Sequence, residues 1–161
     1  MALAPDKQAL LAKLRNGGFR GATELRLTGC QLDQLPDELF ELAPTLQLLD
    51  LAGNNLANLP ERFATLEHLR VLFLLGNNFT TVPACLGQLP ELYMLSFKSN
   101  QLSTIPEGAL PPSLGWLILT DNRLTALPVS IGENKLLRKV MLAGKCFFNF
   151  FTPPTRLPPP S

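Results

Sequence analysis

Apolar residues along this chain alternate between two spacings, and the alternation recurs. Six stretches read ATELRLTGCQL, LQLLDLAGNNL, LRVLFLLGNNF, LYMLSFKSNQL, LGWLILTDNRL and LRKVMLAGKCF, beginning at Ala22, Leu46, Leu69, Leu92, Leu114 and Leu137. Between them the spacing loosens to a leucine–proline step followed by apolar residues three apart, with prolines at Pro36, Pro60, Pro83, Pro106 and Pro128. The intervals between these prolines are 24, 23, 23 and 22 residues. The template is LxxLxLxxNxL followed by xxLPxxLxxL, and a constant period of this length is the mark of a repeat architecture.

Each half of the template dictates a local structure. In LxxLxL the apolar positions alternate with period two, which predicts a short strand with one buried face. The ninth position holds Cys30, Asn54, Asn77, Asn100, Asn122 and Lys145. An asparagine side chain offers two donors and an acceptor, so it can satisfy backbone groups where the chain bends. Stacked coils would align Asn54, Asn77, Asn100 and Asn122 into a structural ladder. The proline half predicts a short helix or 3-10 segment with proline in its first turn. One unit cannot bury its leucines alone, so neighbours must stack. The expected fold is α/β: a solenoid bent into a right-handed horseshoe arc, a six-stranded parallel sheet on its concave face and short helical segments on its convex face.

Both ends of such an array expose apolar core unless capped. Residues 1–21 are expected to form an N-terminal cap, a helix over Pro5–Arg15 with Leu10, Leu11 and Leu14 on one side and Asn16-Gly17 as its stop. The solenoid proper spans 22–151, about six repeats with the last incomplete, and Phe147 and Phe150 take columns where earlier units have leucine. Residues 152–161 form a Pro-rich tail. Within it, Arg156-Leu157-Pro158-Pro159-Pro160 carries an incomplete polyproline motif.

The template resembles the leucine-rich repeat family from about Ala22 to Phe151. The stretches Val71–Asn78 and Leu114–Arg123 are, more narrowly, similar to repeats of bacterial-type proteins in which the array precedes a protein-kinase-like domain. That resemblance implies a cytoplasmic sensing or scaffold module. It does not carry over kinase activity, since neither the Gly-rich loop nor the Asp motifs of a kinase occur here. The pattern breaks at Lys145, so the chain is expected to be either a short repeat-only protein or the product of a truncated or altered reading frame.

Composition narrows the function. The 161 residues include 14 basic and 13 acidic side chains, a net charge of +1, which lacks the basic footprint that nucleic-acid binding requires. No apolar run reaches the roughly 18 residues of a membrane span. The first residues have neither a basic region nor an uninterrupted apolar core of a secretion signal. Cys30, Cys85 and Cys146 lack zinc spacing and leave an odd count for disulfides, which favours a reducing, cytoplasmic setting. The single histidine, His68, reads as a solvated edge residue, and no phosphate loop, metal cluster or cofactor motif is present. An enzyme is not expected, and no cofactor.

The strand positions that the leucines leave free point to the concave surface. Column three reads Glu24, Leu48, Val71, Met94, Trp116, Lys139; column five reads Arg26, Asp50, Phe73, Ser96, Ile118, Met141; column seven reads Thr28, Ala52, Leu75, Lys98, Thr120, Ala143. Leu48, Val71, Phe73, Leu75, Met94, Trp116, Ile118 and Met141 make a continuous apolar band where solvent-facing positions would ordinarily be polar. The expectation is a protein partner on this band, oriented by Asp50, Lys98 and Asp121 at its rim. The alternative is a self-associating structural protein, a homodimer through the same face or through the Phe-rich segment at 147–151. Mutual packing of the concave side chains over their own sheet is a third reading.

Overall fold

The computed structural model describes residues 2–142. The expectations for Lys145, Cys146, the 147–151 phenylalanine run and the Pro-rich tail fall outside the described residues.

The chain opens with helix α1 (Pro5–Arg15). Pro5 sits at its start, where a missing N–H costs nothing, and Asp6 in the first turn and Lys13 and Arg15 in the last complement the helix dipole. Leu11 and Leu14 are buried and Leu10 packs beside them against the first unit, so the helix covers the end of the core as its apolar stripe requires.

Six strands follow: β1 (Glu24–Arg26), β2 (Leu48–Asp50), β3 (Val71–Phe73), β4 (Met94–Ser96), β5 (Trp116–Ile118) and β6 (Lys139–Met141). They form one parallel sheet in chain order. The register aligns Glu24, Leu48, Val71, Met94, Trp116 and Lys139 in one row and Arg26, Asp50, Phe73, Ser96, Ile118 and Met141 in another, as the repeat alignment requires. Leu25, Leu49, Leu72, Leu95 and Leu117 between these rows are buried in the core.

Four 3-10 segments lie between strands: η1 (Asp37–Leu42), η2 (Glu61–Thr65), η3 (Ala84–Gln88) and η4 (Val129–Glu133). Two expectations need correction here. The prolines do not enter the first turn. Pro36, Pro60, Pro83 and Pro128 stand one place earlier with extended ψ angles of 130° to 154°, and the carbonyl of each accepts the N–H three residues on. The unit between β4 and β5 has turns in place of a 3-10 segment. There Gly108 adopts φ +78°, and Pro111 and Pro112 supply no N–H groups, so the short helical ladder is not built.

The asparagine ladder is fully formed. Asn54 Oδ1 accepts the N–H groups of Cys30 (2.9 Å) and Leu32 (3.1 Å), and its Nδ2 donates to the carbonyls of Leu27 (2.9 Å) and Leu51 (2.8 Å). Asn77, Asn100 and Asn122 repeat the arrangement, accepting from Leu56, Phe79 and Leu102 at 3.0 Å each. All four asparagines are buried. Each is preceded by a residue in the left-handed region: Gly53 (φ +68°), Gly76 (+66°), Ser99 (+56°) and Asp121 (+59°), with Gly29 (+61°) in the same place before Cys30. That conformation turns the chain inward, which explains glycine at three of the five positions. Cys30 ends the ladder as a buried thiol whose Sγ donates to the carbonyl of Thr28 at 3.6 Å.

Three aromatic side chains, Phe63, Phe79 and Phe97, are wholly buried between coils, and Phe79 meets Phe97 edge-on at 5.3 Å between centroids. Burial thins toward β6: η4 has no buried residue, and Val129 and Leu136 stand exposed.

Candidate interaction surface

The two outward rows of the sheet place side by side the residues singled out in the sequence. Leu48, Val71, Met94 and Trp116 lie on one row and Phe73, Ile118 and Met141 on the next, with Leu75 two residues beyond Phe73. Except for Met141, at 38% exposure, these side chains are half-buried. Each keeps surface in contact with water. Ser96 is buried in the middle of its row, a small polar gap between Phe73 and Ile118.

The charged positions behave differently from one another. Asp50 is taken up internally: Arg26 Nη1 lies 3.4 Å from its Oδ2, and its Oδ1 accepts the N–H of Ala52 at 3.0 Å. Of the three residues expected to orient a partner it is the least exposed, its side chain 15% exposed and already engaged. Glu24 approaches the same guanidinium at 3.8 Å. Lys98 and Asp121 are exposed, and Asp121 stands at the left-handed turn position rather than on the strand. Lys139 lies over the Trp116 ring, 4.8 Å from its centroid, and so covers part of the expected anchor with a cation.

A further part of the surface lies one column earlier, which the repeat alignment did not single out. Thr23, Gln47, Arg70, Tyr93, Gly115 and Arg138 precede the strands, and the carbonyls of the first five receive the N–H pair of the next unit, as when Tyr93 accepts from Gly115 and Trp116 at 2.8 and 2.9 Å. Gln47, Leu48, Arg70, Val71 and Tyr93, with Thr23 and Glu24 at one end, line a depression at the edge of the concave face. Tyr93, 39% exposed, extends its ring across Gly115, where a Cβ would lie 2.2 Å from its Cε2. The legible signal was a glycine in this column next to the chain's only tyrosine.

His68 is exposed, with Nδ1 3.9 Å from Glu91. Cys85 is buried. Burial pushes the thiols of both Cys30 and Cys85 above their ordinary value, away from nucleophilic thiolate. Among the described residues no three His, Cys, Asp or Glu side chains gather as a metal site.

Parallel strands in register, a buried asparagine ladder and an unclosed sheet define a leucine-rich repeat solenoid. Comparison with known proteins finds leucine-rich repeats in part of the chain and a leucine-rich repeat domain of similar fold. The family model for leucine rich repeats matches residues 20–79. A 52-residue stretch is 46% identical to a disease resistance-like protein, DSC1, of Arabidopsis thaliana, covering 32% of this chain and 4% of that protein. The structure of a Shigella effector LRR domain superposes with a TM-score of 0.69 at 26% identity, covering 89% of this chain and 59% of the other. The chain thus spans under two thirds of either protein. Domains of this kind generally mediate protein–protein interaction and are generally non-catalytic.

Proposed function

We propose that this chain is a non-enzymatic scaffold or recognition module of the cytoplasm that holds a protein partner on its concave face. The observation that carries the reading is the half-buried apolar row pair, Leu48, Val71, Phe73, Met94, Trp116 and Ile118, on the sheet face that the repeat leucines do not use. Such patches on single chains mark interaction sites, and tryptophan and phenylalanine are apt anchors. A rigid parallel sheet holds them in fixed spacing, so little ordering entropy opposes binding. Neither nucleic acid nor membrane enters this reading. The likeness of the Leu114–Arg123 repeat to arrays that precede kinase-like domains fits a sensing or scaffold role. The second reading, self-association, draws on Met141 on the same face and, away from that face, on the exposed Val129 and Leu136 near the last described strand.

A pull-down comparing wild type with the Phe73→Glu/Trp116→Glu variant, both checked by circular dichroism, tests the proposal. A protein held by wild type and lost with the variant is the expected result. Equal capture by both overturns it. Sedimentation of the chain alone over a range of concentrations separates out self-association, which would appear as a dimer that dissociates on dilution. Truncation of one anchor, Trp116→Ala, is expected to cost about 2 kcal/mol of partner affinity, read by calorimetry.

A further inference from the structure

Positive charge is unevenly neutralised across the concave face. In the first two units the acids Glu24 and Asp50 both lie against Arg26. From the third unit onward the face and its margins carry Arg70, Lys98, Arg138 and Lys139, all exposed, and among the described residues none lies within ion-pair distance of a carboxylate. Lys139 rests on Trp116, and Glu91 faces His68. Asp121, at the turn after β5, and Glu91, in the depression that also holds Arg70 and His68, are acids on this half of the rim, and neither lies within ion-pair distance of a Lys or Arg among the described residues.

Arg70 and Lys98 bracket the apolar rows from opposite margins. Arg70 precedes β3 and shares the depression floored by Leu48 and Val71, with the Tyr93 ring beside it. Lys98 follows β4 on the other side. The ring of Tyr93 is kept in place because Gly115 leaves room for it, so the depression is formed before anything binds. Its hydroxyl has no hydrogen-bond partner among the described residues.

We propose that the segment this face recognises is acidic as well as apolar: a peptide stretch whose apolar side chains rest on Val71, Phe73 and Trp116 while flanking carboxylates meet Arg70 and Lys98. The inference rests on the concave-face reading above and names the partner's chemistry. A guanidinium beside an apolar floor favours a carboxylate next to an aliphatic or aromatic side chain, because it can donate two parallel hydrogen bonds. Cations facing an incoming segment also reject basic sequences by like-charge juxtaposition, which gives specificity.

A random twelve-residue peptide display library, selected on the full chain, tests this. Wild type is expected to enrich peptides with Asp or Glu next to apolar residues, and Arg70→Glu/Lys98→Glu to enrich Lys or Arg in their place. Synthetic peptides from the wild-type pool should bind Arg70→Gln/Lys98→Gln roughly tenfold more weakly, the neutral variant serving if charge reversal disturbs folding. Their affinity should fall as salt is raised. Neutral or basic winners, or acidic winners that bind the Gln variant as tightly as wild type, overturn the acidic specificity. If those winners are still lost with Phe73→Glu/Trp116→Glu, the concave-face reading survives. A pool indifferent to that double variant, or no enriched pool, overturns both.

Discussion

At the residue scale, the asparagine ladder carries the greatest consequence per atom. Each carbonyl inside it is shared: Leu51 O accepts from both Asn54 and Asn77, and Leu74 O from both Asn77 and Asn100. The acceptor side is less redundant. Asn77 Oδ1 satisfies the N–H of Leu56, whereas Asn54 Oδ1 satisfies two, those of Cys30 and Leu32. A buried donor left without a partner costs about 1–3 kcal/mol. Asn77→Ala is therefore expected to lose about 2–3 kcal/mol in urea denaturation, and Asn54→Ala measurably more. Equal losses would contradict the assignment of two donors to Asn54. The ladder was legible in the sequence because one residue type recurred at one column. The left-handed turn before it was half legible: Gly29, Gly53 and Gly76 announce it, while Ser99 and Asp121 conceal it behind ordinary side chains. The use of Asp50 was not legible at all, since nothing in a repeat alignment reveals that Arg26 of the preceding unit reaches it.

At the element scale, the strands came directly from the period-two leucines, and their register from superposing one unit on the next. The 3-10 segments were legible in kind but not in detail. Proline at the cap position has no side chain able to satisfy the first N–H groups of the turn, so the capping of η4 comes from the unit before it. Glu107 Oε1 accepts the N–H of Val129 at 2.8 Å and Oε2 that of Ser130 at 3.1 Å. A contact twenty-two residues distant leaves no local signature. The Ser130 hydroxyl, with the backbone N–H groups of Ser130 and Val129, holds the Glu107 carboxyl below its ordinary value near 4.5. A carboxyl lowered in the folded state contributes stability that is complete above its unfolded value and disappears as pH falls through its folded value. Wild type is thus expected to melt above Glu107→Gln at pH 7, with the gap closing as pH drops below about 4.5. A difference in melting temperature unchanged between pH 7 and pH 3 would contradict the cap. The missing 3-10 segment before β5 was visible in Pro111-Pro112, which deny the turn its donors, yet the repeat spacing concealed it.

For the whole molecule, stacking converts six weak units into one core, because each coil buries its leucines only against its neighbours. Helix α1 closes one end, and wholly buried side chains run on as far as Leu117 in β5. The same stacking lays otherwise scattered residues in rows across one face, so a surface of Leu48, Val71, Met94 and Trp116 exists only in the assembled array. Those rows could be read from sequence because they follow from the repeat alone. The Tyr93 depression and the Lys139–Trp116 contact could not, since they depend on which way long side chains fold between units. A partner seated on the concave sheet face would shield the side chains there from solvent. Hydroxyl-radical footprinting of the captured complex shows whether it does, since Met94, Trp116, Met141 and Tyr93 oxidise readily and lie on or beside that face, while Phe40 reports on another surface. The partner is expected to slow oxidation at Met94, Trp116 and Tyr93 and to leave Phe40 unchanged. Unaltered oxidation at Met94 and Trp116, with protection at Phe40, would contradict it.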